Sequence, residues 1–96
     1  MQVITLVSRK KSDALTDALF AEWTDREQHR ASTLYMEGTL RQIWLRDDVA
    51  GACLLFEVDD ADTARTLTES LPMMQQGMLQ LDAVIPLKAY PGFAPR

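Results

Sequence analysis

The run Ala52 to Val58, Ala-Cys-Leu-Leu-Phe-Glu-Val, carries one charged side chain in seven. Seven residues suit a strand better than a core helix. Side chains alternate along a strand, so this one presents apolar groups to both sides of its sheet. Such a strand belongs in the interior of a sheet, with cover on both faces. A chain of 96 residues forms one domain, which we place at residues 1–96. Its own helices can cover one face of the sheet; the second face needs another layer.

The rest of the chain supplies the frame for this strand. Residues 2–8 are rich in β-branched types and form a first strand. Ser12 or Asp13 can cap a helix by accepting from free amide N–H groups. Apolar residues then recur at helical spacing at Leu15, Leu19, Trp23, Ala31 and Leu34, and Gly38 is a suitable stop. Thr39 to Arg46 forms a second strand, Asp47 to Gly51 a turn, and Ala52 to Val58 the third strand. Asp59 or Asp60 caps a second helix running to about Leu71, with Ala61, Ala64, Leu67 and Leu71 facing inward and Pro72 at its end. Met73 to Gly77 reads as a loop. Met78 to Leu87 forms the fourth strand, with Pro86 at an edge or bulge, and Lys88 to Arg96 an extended tail.

This order, β-α-β-β-α-β, is the α+β ferredoxin-like plan: a four-stranded antiparallel sheet with both helices on one face. On the fourth strand Leu79, Leu81, Ala83, Ile85 and Leu87 alternate with Met78, Gln80, Asp82 and Val84. The second face, carrying Val84, Met78 and part of the third strand, is expected to be covered by a second copy, giving a homodimer packed sheet against sheet.

Composition excludes several functions. Net charge is -4, from 10 basic and 14 acidic residues, and neither half is basic enough to track phosphates, so nucleic acid is not an expected partner. No apolar run is long enough to cross a bilayer, so no membrane is expected either. Cys53 is the only cysteine, which excludes an internal disulfide and a cysteine metal cluster and suits a reducing cytoplasm. There is no Gly-rich phosphate loop, paired-His spacing or nucleophile elbow.

Individual residues remain as candidates, each with a structural alternative. Glu27 becomes a general base if the helix tips it into a pocket where desolvation raises its pKa; otherwise it is a surface carboxylate beside Arg26 and Arg30. His29, the only histidine, is a proton shuttle or a solvated side chain in a charged run. Arg41, on the second strand, holds a ligand carboxylate or pairs with Asp82 or Glu57. Gln42 and Trp44 share a strand face, as do Gln80 and Asp82. If the register puts all four on one side, they form a polar, aromatic-walled patch with Asp82 as a second candidate base; otherwise they divide between edge and core. Cys53 reads as a small buried apolar residue, and Met73, Met74 and Met78 as packing.

Four segments also resemble a known family. Glu-Gly-Thr-Leu-Arg-Gln-Ile-Trp (37–44), the Phe-Glu-Val ending of the third strand (56–58), Ser-Leu-Pro (70–72) and Val-Ile-Pro-Leu-Lys-Ala-Tyr-Pro-Gly (84–92) are similar, in order and spacing, to the muconolactone isomerase family. The resemblance implies a dimeric α+β barrel, in some members built into larger rings. It also implies a cofactor-free 1,3-proton shift in a small unsaturated lactone acid. That chemistry needs a base, donors for a dienolate oxygen and a cation for the carboxylate. Glu27, Arg41 and Trp44 fall on the family's glutamate, arginine and tryptophan. The chain departs from the family in lacking its first-strand histidine and lysine, in having Tyr90 before Pro91, and in Met73 to Gln76.

Two functions follow. The first is an isomerase or related proton-transfer enzyme on a small lactone or enolisable acid, with Glu27 or Asp82 as base, Arg41 as carboxylate anchor, and Trp44, Tyr35, Gln42 and Gln80 around the substrate. The second is a non-catalytic dimeric module that binds a ligand or partner. Convergence of Gln42, Trp44, Gln80 and Asp82 on one void favours the first; a filled apolar interface favours the second. Haem or oxygen chemistry is a weaker third, with His29 its only imidazole.

Overall fold

The computed structural model describes residues 1–93. The chain runs β1 (Gln2–Arg9), α1 (Asp17–Met36), β2 (Leu40–Leu45), β3 (Gly51–Glu57), α2 (Ala61–Glu69), α3 (Pro72–Gln75) and β4 (Leu79–Pro86), with a 3-10 turn at Pro91–Phe93. The sheet order is β2-β3-β1-β4, with every neighbouring pair antiparallel. This is the expected ferredoxin-like plan, and the apolar strand β3 sits inside the sheet. The last three positions of the expected extended tail lie outside the described residues.

Local chemistry explains most boundaries, including two that differ from expectation. The first helix starts at Asp17 because the Thr16 hydroxyl accepts from the Leu19 amide at 3.2 Å. Neither Ser12 nor Asp13, the expected caps, takes that place; Ser12 instead closes a small turn by accepting from the Ala14 amide. Asp60 caps α2 by accepting from Thr63. That helix stops at Glu69, and Pro72 opens rather than ends an element, standing at the first position of α3, where a missing N–H costs nothing. The expected loop at 73–77 is therefore partly helical. Gly38 follows α1 at φ 84°, a conformation that side chains resist. Gly51 allows β3 to approach β1, since a Cβ there would collide with the Val7 carbonyl oxygen.

One face of the sheet packs on the helices. Val3, Thr5 and Val7 of β1, Leu54 and Phe56 of β3, and Leu40 of β2 meet Phe20 and Leu34 of α1 and Ala64 of α2 in a single core. Thr5 and Thr68 are fully buried and satisfied as a pair, with their hydroxyls 2.9 Å apart. The Thr68 hydroxyl donates to the Ala64 carbonyl, so Thr5 donates to Thr68.

The other face is open. By register it carries Ile4 and Leu6, Cys53 and Leu55, Trp44, and Ala83 and Ile85. This corrects the expected membership of that face. Val84 lies opposite Thr5 on the helix side, and Met78 is buried. The reason is a β-bulge: Leu6 pairs with Ala83 and Val7 with Leu81, so Asp82 is an extra residue and the alternation of β4 changes phase there. A similar irregularity at Arg41 puts Leu40, Ile43 and Leu45 on the helix side and Gln42 and Trp44 on the open side. Pro86 closes the edge strand β4 at no cost to the ladder, since the next amide, Leu87, donates to the Gln2 carbonyl at 2.9 Å.

Candidate functional site

A cavity of about 250 Å³ lies between the sheet and the helices, at the end of β1 away from the chain's N-terminus. Val7, Leu54, Leu71, Met73 and Leu79 form most of its apolar wall, and Ile43 and Leu45 of the edge strand stand at its rim. Its two ionisable residues are Glu27, from α1, and Arg9, the last residue of β1.

Glu27 is half-buried, and its Oε1 accepts from the Met73 amide of α3 at 3.0 Å. Burial raises its pKa above the usual carboxylate value, partly offset by that hydrogen bond. The hydrogen bond also docks α3 on α1, as does Arg30, which donates to the Ser70 hydroxyl. Glu27 therefore has a structural task, and its raised pKa also makes it a stronger proton acceptor than a solvated carboxylate.

Arg9 was absent from the sequence candidates. Its guanidinium stacks 3.9 Å from the Phe20 ring centroid and donates to Asp17 at 3.0 Å. Asp17 is fully solvated, so this ion pair is weak. A guanidinium has five N–H groups, and one is engaged there, leaving donors for a ligand carboxylate. Arg9 escaped notice because Arg9-Lys10-Lys11 reads as a charged strand breaker. Its inward direction follows from two-residue alternation with Val7, a signal present in the sequence.

The remaining candidates stand elsewhere. Arg41 is an exposed bulge residue whose Nε donates to the Gly38 carbonyl at 2.7 Å, and it does not line the cavity. Tyr35 is exposed and borders, with Gln42, a shallow groove at the β2 edge. His29 is exposed on the solvated side of α1. Cys53 is half-buried on the open face.

Gln42, Trp44, Gln80 and Asp82 do share the open face, but β2 and β4 are its opposite edges, about 14 Å apart at strand spacing. They do not converge on one void, so they lend no support to catalysis there. Asp82 instead receives Arg46 at 2.7 Å and Gln80 at 3.0 Å, in an open basin of about 880 Å³. Hydrogen bonds, including one from Ser8, and the Arg46 charge hold its pKa below the usual value. Arg46 also grips Asp48, which ties the β2–β3 turn to β4. A carboxylate kept ionised by a guanidinium is a poor proton acceptor. The basin is larger than the Glu27 cavity, but its one lining carboxylate, Asp82, is committed.

Among the described residues, no group of three His, Cys, Asp or Glu side chains is placed to hold a metal. None of the helices among the described residues is long and apolar enough to cross a membrane.

The fold and site together define a ferredoxin-like domain with a carboxyl and a guanidinium in one apolar cavity between helix and sheet. The family model for muconolactone delta-isomerase matches residues 4–92, and the chain belongs to that family. A crystal structure of muconolactone isomerase at 3.3 Å superposes with a TM-score of 0.78 at 19% identity, covering 100% of this chain and 97% of the other. The 5-chloro-2-hydroxyhydroquinone dehydrochlorinase of Burkholderia phenoliruptrix AC1100, in complex with 2,5-dihydroxybenzoquinone, superposes with a TM-score of 0.65 at 15% identity, covering 92% and 94%. These identities establish a shared fold. No curated protein matches the chain.

Proposed function

We propose that the chain is a proton-transfer isomerase, free of cofactor, acting on a small unsaturated lactone or enolisable acid. The observation that carries this reading is Glu27: a carboxyl with a raised pKa in an apolar cavity that also holds Arg9. In the proposed reaction Arg9 pairs with the substrate carboxylate. Glu27 takes the proton from the saturated carbon at one end of the allylic system conjugated with the lactone carbonyl, which leaves a dienolate and a neutral carboxyl. The same carboxyl returns the proton to the far carbon of the conjugated system. The double bond moves, and no net proton is gained or lost. Arg9 takes the anchoring role first given to Arg41, and Glu27 alone is the base.

The apolar open face of the sheet supports the pairing of two copies, sheet against sheet. The second reading, a non-catalytic binding module, is favoured by one observation: the Glu27–Met73 hydrogen bond gives Glu27 a purely architectural use. Glu27→Gln separates the two, because a glutamine oxygen can still accept from Met73 but cannot take a proton. Isomer ratios of muconolactone and simple butenolide acids, followed by NMR, test the reading. Turnover by the native chain that is lost in Glu27→Gln supports it. No turnover across the panel, or equal turnover by both proteins, overturns it.

A further inference from the structure

The proposed reaction sets three electrostatic tasks. A base must take the proton, a cation must hold the carboxylate, and a donor must meet the oxygen on which the dienolate charge collects. Glu27 and Arg9 take the first two. The third falls to neither of them. An oxyanion that forms in an apolar cavity without a donor is strongly disfavoured, so this task weighs heavily on the barrier.

Among the described residues, Arg9, Thr24 and Glu27 supply the only polar side chains that line the cavity. The Met73 amide is already engaged by Glu27 at 3.0 Å. In muconolactone the carboxylate and the ring carbonyl stand at opposite ends of the molecule, so a guanidinium that grips the first cannot also face the second. Thr24 is left. It precedes Glu27 by one turn of α1 and Ala31 by two, and all three line the cavity. Residues three and four apart share one helix face, so the backbone itself sets this placement. Phe20, which carries the Arg9 guanidinium at 3.9 Å, lies one turn further back. Anchor, hydroxyl and base thus stand along one face of one helix.

The half-buried Thr24 hydroxyl donates to the Phe20 carbonyl at 2.9 Å. That carbonyl does not depend on it, because within an α-helix it also accepts from the Thr24 amide. Back-bonding of this kind slightly destabilises a helix rather than supporting it. The hydroxyl proton can therefore turn to a ligand about the C–O bond, with no carbonyl left unpaired. A neutral lactone carbonyl offers little advantage over that of Phe20. Negative charge on the oxygen roughly doubles the strength of the bond it accepts. The gain is then confined to the transition state, where it raises kcat.

We propose that the Thr24 hydroxyl donates to the dienolate oxygen, as a third catalytic residue beside Glu27 and Arg9. This rests on the isomerase reading of the cavity. Thr24→Val keeps the shape and removes the hydroxyl, Thr24→Ala removes it with less bulk, and Thr24→Ser keeps it. Isomerisation of muconolactone and simple butenolide acids is followed at steady state for the native chain, these variants and Glu27→Gln, with far-ultraviolet spectra to confirm folding. Thr24→Val and Thr24→Ala should each lose about 10²-fold in kcat with KM within about twofold of native, and Thr24→Ser should recover most of the loss. The pH dependence of the Val and Ala variants should stay native, because the base is unchanged. Native kcat in Thr24→Val or Thr24→Ala, beside an inactive Glu27→Gln, would overturn the role of Thr24 and leave the isomerase reading standing. So would a loss that appears in KM, a loss that serine does not restore, or failure of both the Val and Ala variants to fold, each the mark of a packing role. No turnover by the native chain would overturn the isomerase reading and this proposal with it.

Discussion

At the residue scale Glu27 matters most, because one carboxyl serves packing and, in the proposed reaction, chemistry. Its raised pKa has a definite consequence for stability. The folded chain holds the Glu27 proton more tightly than the unfolded chain, so stability declines as pH rises from the ordinary carboxylate value through the folded one. Glu27→Gln should remove that decline. Urea unfolding should find the variant equal to the native chain at acid pH and at least as stable at neutral pH, while its turnover falls about 10²- to 10⁴-fold. Native activity should rise with pH across the same interval as the base ionises. Arg9→Met should raise KM about 10- to 100-fold with a smaller change in kcat, the worth of a charged hydrogen bond. Steady-state kinetics decide, and an unchanged KM would remove Arg9 as the anchor. Glu27 stands out in the sequence because the Glu-Gly-Thr segment aligns it with the family's glutamate. Arg9 is hidden in a basic triplet, and Arg41 draws the anchoring role in the sequence because it falls on the family's strand arginine, while no residue count reveals the bulge that carries it to the surface.

At the scale of elements, the fold was more legible than its faces. Alternation and caps placed all four strands and both long helices within a few residues. Single extra residues then decided which side each edge strand showed. At Asp82 the phase of β4 changes, and at Arg41 that of β2, so Val84 turns to the helices and Leu45 to the cavity rim. Bulges carry no compositional mark in either strand. The small helix α3 escaped for a related reason: Pro72 reads equally as a stop or as a first helical residue. Two substitutions test the packing. Thr68→Val strands the buried Thr5 hydroxyl and should cost about 1–3 kcal/mol, with part of the loss recovered when Thr5→Val is added. Gly51→Ala forces β3 away from the Val7 carbonyl and should cost about 3 kcal/mol or more. Denaturant titration measures both.

The whole molecule is built around a sheet with one face still apolar. Leu55 stands near the centre of that face, on the strand whose two-sided apolar character opened the sequence argument. A charge there should split the proposed dimer without touching the helix-side core. Leu55→Glu should sediment as a monomer with the far-ultraviolet spectrum of the native chain. A native chain that is already monomeric, or a variant that remains paired, would contradict the proposed assembly.

Proton abstraction by Glu27 is the central claim, and exchange in heavy water tests it without requiring the whole isomerisation. Muconolactone and simple butenolide acids are incubated in heavy water with the native chain, and separately with Glu27→Gln, while NMR follows the proton on the saturated ring carbon whose loss gives the dienolate. The account expects that signal to fade faster with the native chain than in buffer, and to fade at the buffer rate with the variant. Equal loss with both proteins, or none above buffer with the native chain, would contradict it.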